Sequence, residues 1–243
     1  MIDLVYPIGK ECGWGAHEEL RYSIRSAVAH FADLRTVWIV GHRPVWLSDA
    51  ARHLPAADPF RHNKDANLIL KVAAACLTGE LSDPFVRLSD DQFFLRPTSI
   101  ADVRPFYVRK IRRGSRRGVG SWGKRIRHVA KWLRGRNYST YHYDTHCPLP
   151  VSPAEFLRVM ADLPWADPPG VTINTAYFNT IDLATHEPIG DRLRSITRPL
   201  PRDQVAAELD AGARYLNIQD GALSKGFKKE IAARFPHPSR FER

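Results

Sequence analysis

The first 95 residues alternate between strand-period and helix-period apolar segments, an order that few folds accept. Residues 3–8 read as a buried strand. Residues 17–31 place Leu20, Ile24, Ala27, Val28 and Phe31 on one helical face. Residues 36–40 form a second apolar strand, closed by Gly41 and Pro44. Residues 63–77 carry Ala66, Leu68, Ile69, Val72, Ala73 and Cys76 on one side, with Asn63 as the N-cap. Residues 84–95 return to a strand, Phe85-Val86-Arg87-Leu88-Ser89-Asp90-Asp91-Gln92-Phe93-Phe94-Leu95. Strands joined through helices of this length imply an α/β fold with a mainly parallel central sheet, because each parallel pair needs a crossover. A chain of 243 residues with 44% hydrophobic content can bury such a core.

Beyond residue 102 the pattern changes. Residues 112–123 are rich in Arg, Gly and Ser and read as a flexible loop. Residues 124–134 read as a helix, with Ile126, Val129, Ala130 and Leu133 at helical spacing. The core resumes near Tyr143. Residues 152–163 read as a helix with Ser152 as N-cap, Pro153 at its first position and Glu155 completing a capping box. Residues 171–181 read as a strand, 202–211 as a helix, 215–218 as a short strand, and 225–243 as a basic, peripheral tail. The organisation expected is a first half over 1–102, a basic loop and helix insertion over 103–143, and a second half over 144–243. No basic and apolar leader precedes the first strand, and no apolar run nears the roughly 18 residues of a membrane span. The three cysteines, Cys12, Cys76 and Cys147, are odd in number, suit a reducing cytoplasm and match no zinc-site spacing.

Charge is concentrated in one place. Residues 103–143 hold thirteen of the 36 Lys and Arg and none of the 26 Asp and Glu. Without them 23 basic residues face 26 acidic ones, a net of −3 against the whole chain's +10. Such a segment suits a polyanion, with nucleic acid favoured and an anionic membrane surface as the rival. The candidate contacts are Arg109, Lys110, Arg112, Arg113, Arg116, Arg117, Lys124, Arg125, Arg127, Lys131, Arg134 and Arg136. Trp122 and neighbouring aromatic residues are candidates to stack on bases.

Two polar constellations interrupt the apolar pattern. Ser89-Asp90-Asp91 sets two carboxylates in an apolar run at the edge where open α/β sheets bind ligands. Burying two like charges is costly unless a cation compensates, so Mg²⁺ or Mn²⁺ bridging to a diphosphate is the expected partner. Tyr143-Asp144-Thr145-His146 offers His146 as a further metal ligand and Asp144 as a general base for a hydroxyl acceptor. Asp182 and Asp220 each follow an expected strand and are equal candidates for the base.

The order of several blocks resembles a known family. Asp3-Leu4-Val5-Tyr6, Glu19-Leu20-Arg21-Tyr22-Ser23-Ile24-Arg25-Ser26, Val37-Trp38-Ile39-Val40-Gly41, Pro44-Val45-Trp46-Leu47 and Leu88-Ser89-Asp90-Asp91-Gln92-Phe93-Phe94 resemble the Stealth-type sugar-phosphate transferases and related phage-borne glycosyltransferases. Thr145-His146-Cys147-Pro148 and Leu216-Asn217-Ile218-Gln219-Asp220 continue the likeness more loosely. The resemblance implies a GT-A-like single domain that uses a nucleotide-sugar, taken as a UDP-sugar such as UDP-glucose, with a DxD-type metal site at Ser89-Asp90-Asp91. It further implies that Pro7, Ile8 and Gly9 meet the nucleoside, and that Arg21, Arg25, Lys64, Asn67 and Ser89 face the diphosphate and sugar; a surface salt-bridge pair for Arg21 and Arg25, and capping and solvation for Lys64 and Asn67, are the equal alternatives. Lys71, one turn beyond Asn67, reads as a solvated position. With the basic segment, the function expected is sugar transfer to double-stranded DNA, onto the hydroxyl of a hydroxymethylated pyrimidine such as 5-hydroxymethylcytosine, in the cytoplasm of a bacterial host. The alternatives are a sugar-phosphate transferase acting on surface polysaccharide and a non-enzymatic nucleic-acid-binding protein.

Overall fold

The computed structural model describes residues 1–10, 14–61, 63–114 and 120–243. Its centre is a sheet of five strands in the order β3 (Arg52–Leu54), β2 (Leu34–Gly41), β1 (Ile2–Ile8), β4 (Phe85–Arg87) and β9 (Leu149–Val151). The first four are parallel, and β9 runs antiparallel beside β4. Every residue of β1 is buried, as a central strand covered on both faces requires. Alternation then divides the core. Val5, Trp38 and Val40 face α2 (Lys64–Leu77), α4 (Pro153–Asp162) and α5 (Ile173–Thr180). Leu4, Tyr6, Ile8, Val37 and Ile39 face α1 (Glu18–His30). Val28 of α1, expected on that face, is exposed.

Residues 84–95 are not one strand. Leu88 ends the pairing with β1, Ser89 to Asp91 turn, and β5 (Gln92–Phe94) enters a second sheet against β12 (Tyr215–Ile218) and β11 (Leu193–Ile196). Gln92 closes the turn by accepting the Ser89 amide at 3.2 Å. Adjacent carboxylates suit a bend, where they escape a dry ladder. On the far side, Ser26 of α1 accepts the Phe94 amide at 3.0 Å, and Ser23 bonds both the Tyr6 hydroxyl and the Gln92 carbonyl.

Three local expectations change. Residues 171–181 contain helix α5, because burial of Ile173, Ala176, Tyr177 and Phe178 outweighs the strand preference of a Val- and Ile-rich stretch. Pro153 opens α4, but Ser152 donates to Asp83 and Glu155 pairs with Arg158, so no capping box forms. Of the loop expected over 112–123, residues 115–119, with the candidates Arg116 and Arg117, lie outside the described residues, and Gly120 already opens helix α3 (Gly120–Gly135). That helix is built into the core through Ile126, Val129, Ala130 and Leu133, and β7 (Arg109–Lys110) pairs with β8 (Tyr141–His142) below it. The basic segment is therefore woven into the fold.

The C-terminal tail is integral too. Helix α7 (Lys225–Arg234) buries Phe227 and Ile231, and Phe241 sits in the core beneath α1. Glu242 accepts Arg21 at 2.6 Å and Arg25 at 2.6 and 2.9 Å. Burial alone would raise the Glu242 carboxyl, but hydrogen bonds from Arg25, the Ser239 amide and Arg21 outweigh it and bring its pKa from 4.5 down to about 2. Glu242→Gln is expected to cost about 3 kcal/mol in urea unfolding at pH 7, since it takes the anion from buried Arg25 and leaves Arg21 with Glu18 alone. A depressed carboxyl stabilises above its unfolded pKa and loses that contribution on acidification. The gap between wild type and variant should therefore close as pH falls from 4.5 towards 2.

Candidate functional site

The chain leaves β1 through α1 to reach β2 on one side, then returns from β3 through α2 to β4 on the other. Strand order thus reverses between β1 and β4, and the crevice at their C-terminal ends is where an open α/β sheet receives a ligand. Side chains from seven elements reach that crevice, Glu19 of α1 among them. Arg87 ends β4, and Ser89, Asp90 and Asp91 follow it. Lys64 and Asp65 occupy the first turn of α2, whose N-cap Asn63 accepts the Ala66 amide at 3.1 Å. Asp144 and His146 follow β8, Trp122 and Arg125 come from α3, Asn174 from α5, and Asn217 and Asp220 from the end of β12.

Arg87 organises one wall. It is 4% exposed and donates to Asn174 Oδ1 at 2.6 Å. Burial lowers its pKa, opposed by the charges of Asp144, Asp65 and Asp91, so one buried cation serves three acids. Asp65 also pairs with Arg125 at 3.1 Å. Asp144 has a side chain only 15% exposed. Burial and then Asp65 raise its pKa to about 7, against the pull of Arg87, Thr172 and Trp122. His142, 3.8 Å away, is brought down to about 4 by burial and Arg109, so the contact is no ion pair at neutral pH.

The other wall is acidic. Burial and Asp90 raise Asp91 to about 7, although Asn217 donates to its Oδ2 at 2.8 Å. Asp91 Oδ1 is buried without a hydrogen-bond partner. Asp90 is raised by burial and Asp220, with Lys64 opposing. Glu19, in the first turn of α1 and 1% exposed, rises to about 8 through burial and then Asp90, Asp220 and Asp91. Its Oε2 accepts the Trp14 amide at 3.2 Å while Oε1 has no partner. Carboxyls shifted this far in one crevice make it the candidate site.

Beside this crevice, at the ends of β1, β2 and β3, lies a cavity of about 680 Å³ lined by Lys10, Gly41, His42, Arg43, Pro55, Ala56, Ala57 and Asp58. Its size suits a nucleoside-scale ligand. Lys71 is buried behind the lining residue Asp58, donating to it at 2.5 Å and to the Ile8 carbonyl at 2.9 Å. The expectation of a solvated Lys71 fails because this pair carries its charge inward. Gly41 has φ +122°, and a Cβ there would sit 2.1 Å from the Ile8 oxygen and 3.1 Å from Lys71 Cε. Gly41→Ala is expected to cost about 2–4 kcal/mol and to disorder this cavity, measured by thermal unfolding.

No protein-family model and no curated protein matches this chain. The site is therefore read from its own residues.

Gly9 lies against Asp58 at the cavity, with Pro7 and Ile8 behind it in β1. Lys64 keeps company with Asp65, Asp90, Asp91 and His146. Ser89 sits in the turn. Other expectations change. Arg21 and Arg25 are committed to Glu242, a partner too distant in sequence to foresee. Asn67 holds both the amide and the carbonyl of Phe60 at 3.0 Å, fixing the loop before α2. Trp122 packs edge-on against His142 and supports Asp144. Arg125 is tied to Asp65 at 3.1 Å, so both α3 residues lie beside the crevice. Asp182 is exposed beyond α5, whereas Asp220 lies beside Asp90 and Glu19.

Sequence reasoning missed Arg87, Asp65 and Glu19. Arg87 carried a signal, a lone charge in an apolar strand; Asp65 and Glu19 read as ordinary first-turn acids.

Among the described residues no group of three His, Cys, Asp or Glu is arranged to hold a metal. His146 has φ +57°, and burial, Arg87 and Lys64 lower its pKa; it forms no such group with Asp90 and Asp91. What remains is a carboxylate pair with one orphaned oxygen. That donor set fits a Mg²⁺-type ion, which takes one or two carboxylates and completes its shell with phosphate oxygens and water.

Proposed function

We propose that this protein is a nucleotide-sugar-dependent glycosyltransferase of GT-A-like organisation, with a hydroxyl on modified DNA as acceptor. The observation that carries the reading is an acidic pair beside Lys64 and a buried carboxyl of pKa about 7 at the topological switch point, with a nucleoside-sized cavity beside them at the ends of β1, β2 and β3. The nucleoside occupies the cavity between Gly9, Gly41 and Asp58, which sets the diphosphate towards Ser89-Asp90-Asp91 and Lys64. Asp90 and Asp91 would hold a Mg²⁺ or Mn²⁺ ion, which supplies positive charge to the departing diphosphate. Lys64 adds a second positive charge on that side.

Asp144 is the base favoured among the three aspartates. A group with pKa near 7 is ionised at working pH and still able to take a proton. It accepts the proton of the acceptor hydroxyl as the oxygen bonds to the anomeric carbon. The bond from that carbon to the diphosphate oxygen breaks, and the nucleoside diphosphate leaves with the electron pair. Arg87 is a positioning residue that favours the ionised form of Asp144.

The test is mass analysis of nucleosides from 5-hydroxymethylcytosine DNA incubated with the protein, Mg²⁺ or Mn²⁺ and a panel of nucleotide-sugars. A hexose-sized gain that depends on one donor is the expected result. Absence of any gain, and of donor hydrolysis, would overturn the reading.

A further inference from the structure

Helix α3 turns its apolar side inward. Ile126, Val129, Ala130 and Leu133 are buried in the core shared with β1 and β2, so no apolar face remains for a lipid surface. On its opposite side Lys124, Arg127 and Lys131 are exposed at spacings of three and four residues, a single stripe. The stripe covers about 10 Å of helix, close to three phosphate steps of one DNA strand. Near the C-terminal end of α3, Lys110, Arg112, Arg113 and Arg134 line an open cavity of about 380 Å³. Not one acid lies in the sequence from 103 to 143.

The aromatic residues of this segment behave differently. Phe106 and Tyr143 are buried, Tyr107 packs on Tyr141 at 4.6 Å, and Tyr138 stacks on the buried Trp132. Trp122 faces the crevice. Lys110, Arg112, Arg113, Lys124, Arg127 and Lys131 are exposed, whereas Arg104, Arg125, Arg134 and Arg136 engage Glu187, Asp65, the Ile111 carbonyl and Asp162. Most of the rings are spent on packing, and Tyr138 keeps 37% of its surface exposed.

We infer that the outer face of α3 and the adjoining basic cavity hold the sugar-phosphate backbone of duplex nucleic acid, through phosphate contacts and without base stacking. The inference rests on the transferase reading and deepens it by naming how the acceptor is held. Exposed Lys110, Arg112, Arg113, Lys124, Arg127 and Lys131 make the track. Trp122 and Arg125, on the neighbouring face of the same helix, line the crevice, so a duplex on the track runs alongside Asp144.

The experiment measures the Kd of the full chain for an unmodified labelled duplex across a series of NaCl concentrations. Six phosphate contacts predict a log–log slope of about −5. The triple variant Lys124→Ala/Arg127→Ala/Lys131→Ala should flatten that slope by about 2–3, and Lys110→Ala/Arg112→Ala/Arg113→Ala should do the same. Affinity should not depend on base sequence. Unchanged slopes in both variants, sequence-dependent affinity, or binding to phosphatidylserine vesicles in place of DNA would each overturn the inference. Donor hydrolysis measured without DNA keeps the two readings apart. Hydrolysis with no duplex binding sinks the backbone track alone, whereas salt-dependent binding with neither donor hydrolysis nor a hexose-sized gain on 5-hydroxymethylcytosine DNA supports the track and sinks the transferase.

Discussion

Asp91→Asn is expected to lower sugar transfer about 10²–10³-fold, the scale of losing one charge-stabilising group at a reacting centre. The same substitution should make the folded protein more stable at pH 8. Both effects have one cause. Asp91 is buried beside Asp90, and its carboxyl rises from 3.8 to about 7. Between those values the folded protein holds a proton that the unfolded chain releases, so raising the pH through that window favours unfolding. Asparagine keeps the bond from Asn217 to the side-chain oxygen and removes the charge. The thermal midpoint of the variant should match wild type near pH 4 and exceed it by a growing margin up to pH 7. A variant that transfers at the wild-type rate would take Asp91 out of the site.

Asp144→Asn is expected to reduce kcat/KM about 10²–10⁴-fold, the range for losing a general base. Wild-type kcat/KM should rise with pH along a limb centred near 7, the pKa of Asp144, and the residual activity of the variant should lack that limb. Stability should move the other way. Asp144, Asp91 and Glu19 all carry raised carboxyls, so the fold weakens across the range in which the base becomes competent. Donor KM separates catalysis from structure: loss of a base leaves it unchanged, whereas a collapsed crevice raises it. Normal kcat/KM in Asp144→Asn would return the role to Asp220, the other aspartate near the acidic wall.

Much of the site was legible because its residues break local patterns. Asp90 and Asp91 interrupt an apolar run, and Asp144 and His146 stand in a polar knot before two prolines. Arg87 was legible in principle by the same logic. Glu19 and Asp65 were not, since a first-turn acid looks the same whether it faces water or another carboxylate. Arg21 and Arg25 show the limit of such patterns: two cations one turn apart suit an anionic ligand or a salt bridge equally, and the structure pairs both with Glu242, more than two hundred residues away in sequence, and Arg21 with Glu18 as well.

The sequence by itself determined the α/β class, the positions of α1, α2 and α4, the buried strands of the central sheet and the concentration of positive charge in 103–143. Those features follow from periodicity, capping and composition, which act over a few residues. The tertiary structure decided the rest. It split residues 84–95 between two sheets, made 171–181 helical, drew the tail under α1 and turned the aromatic residues of the basic segment inward. Each of these depends on burial against partners distant in the chain, and burial outweighs the few tenths of a kcal/mol by which local propensity separates strand from helix.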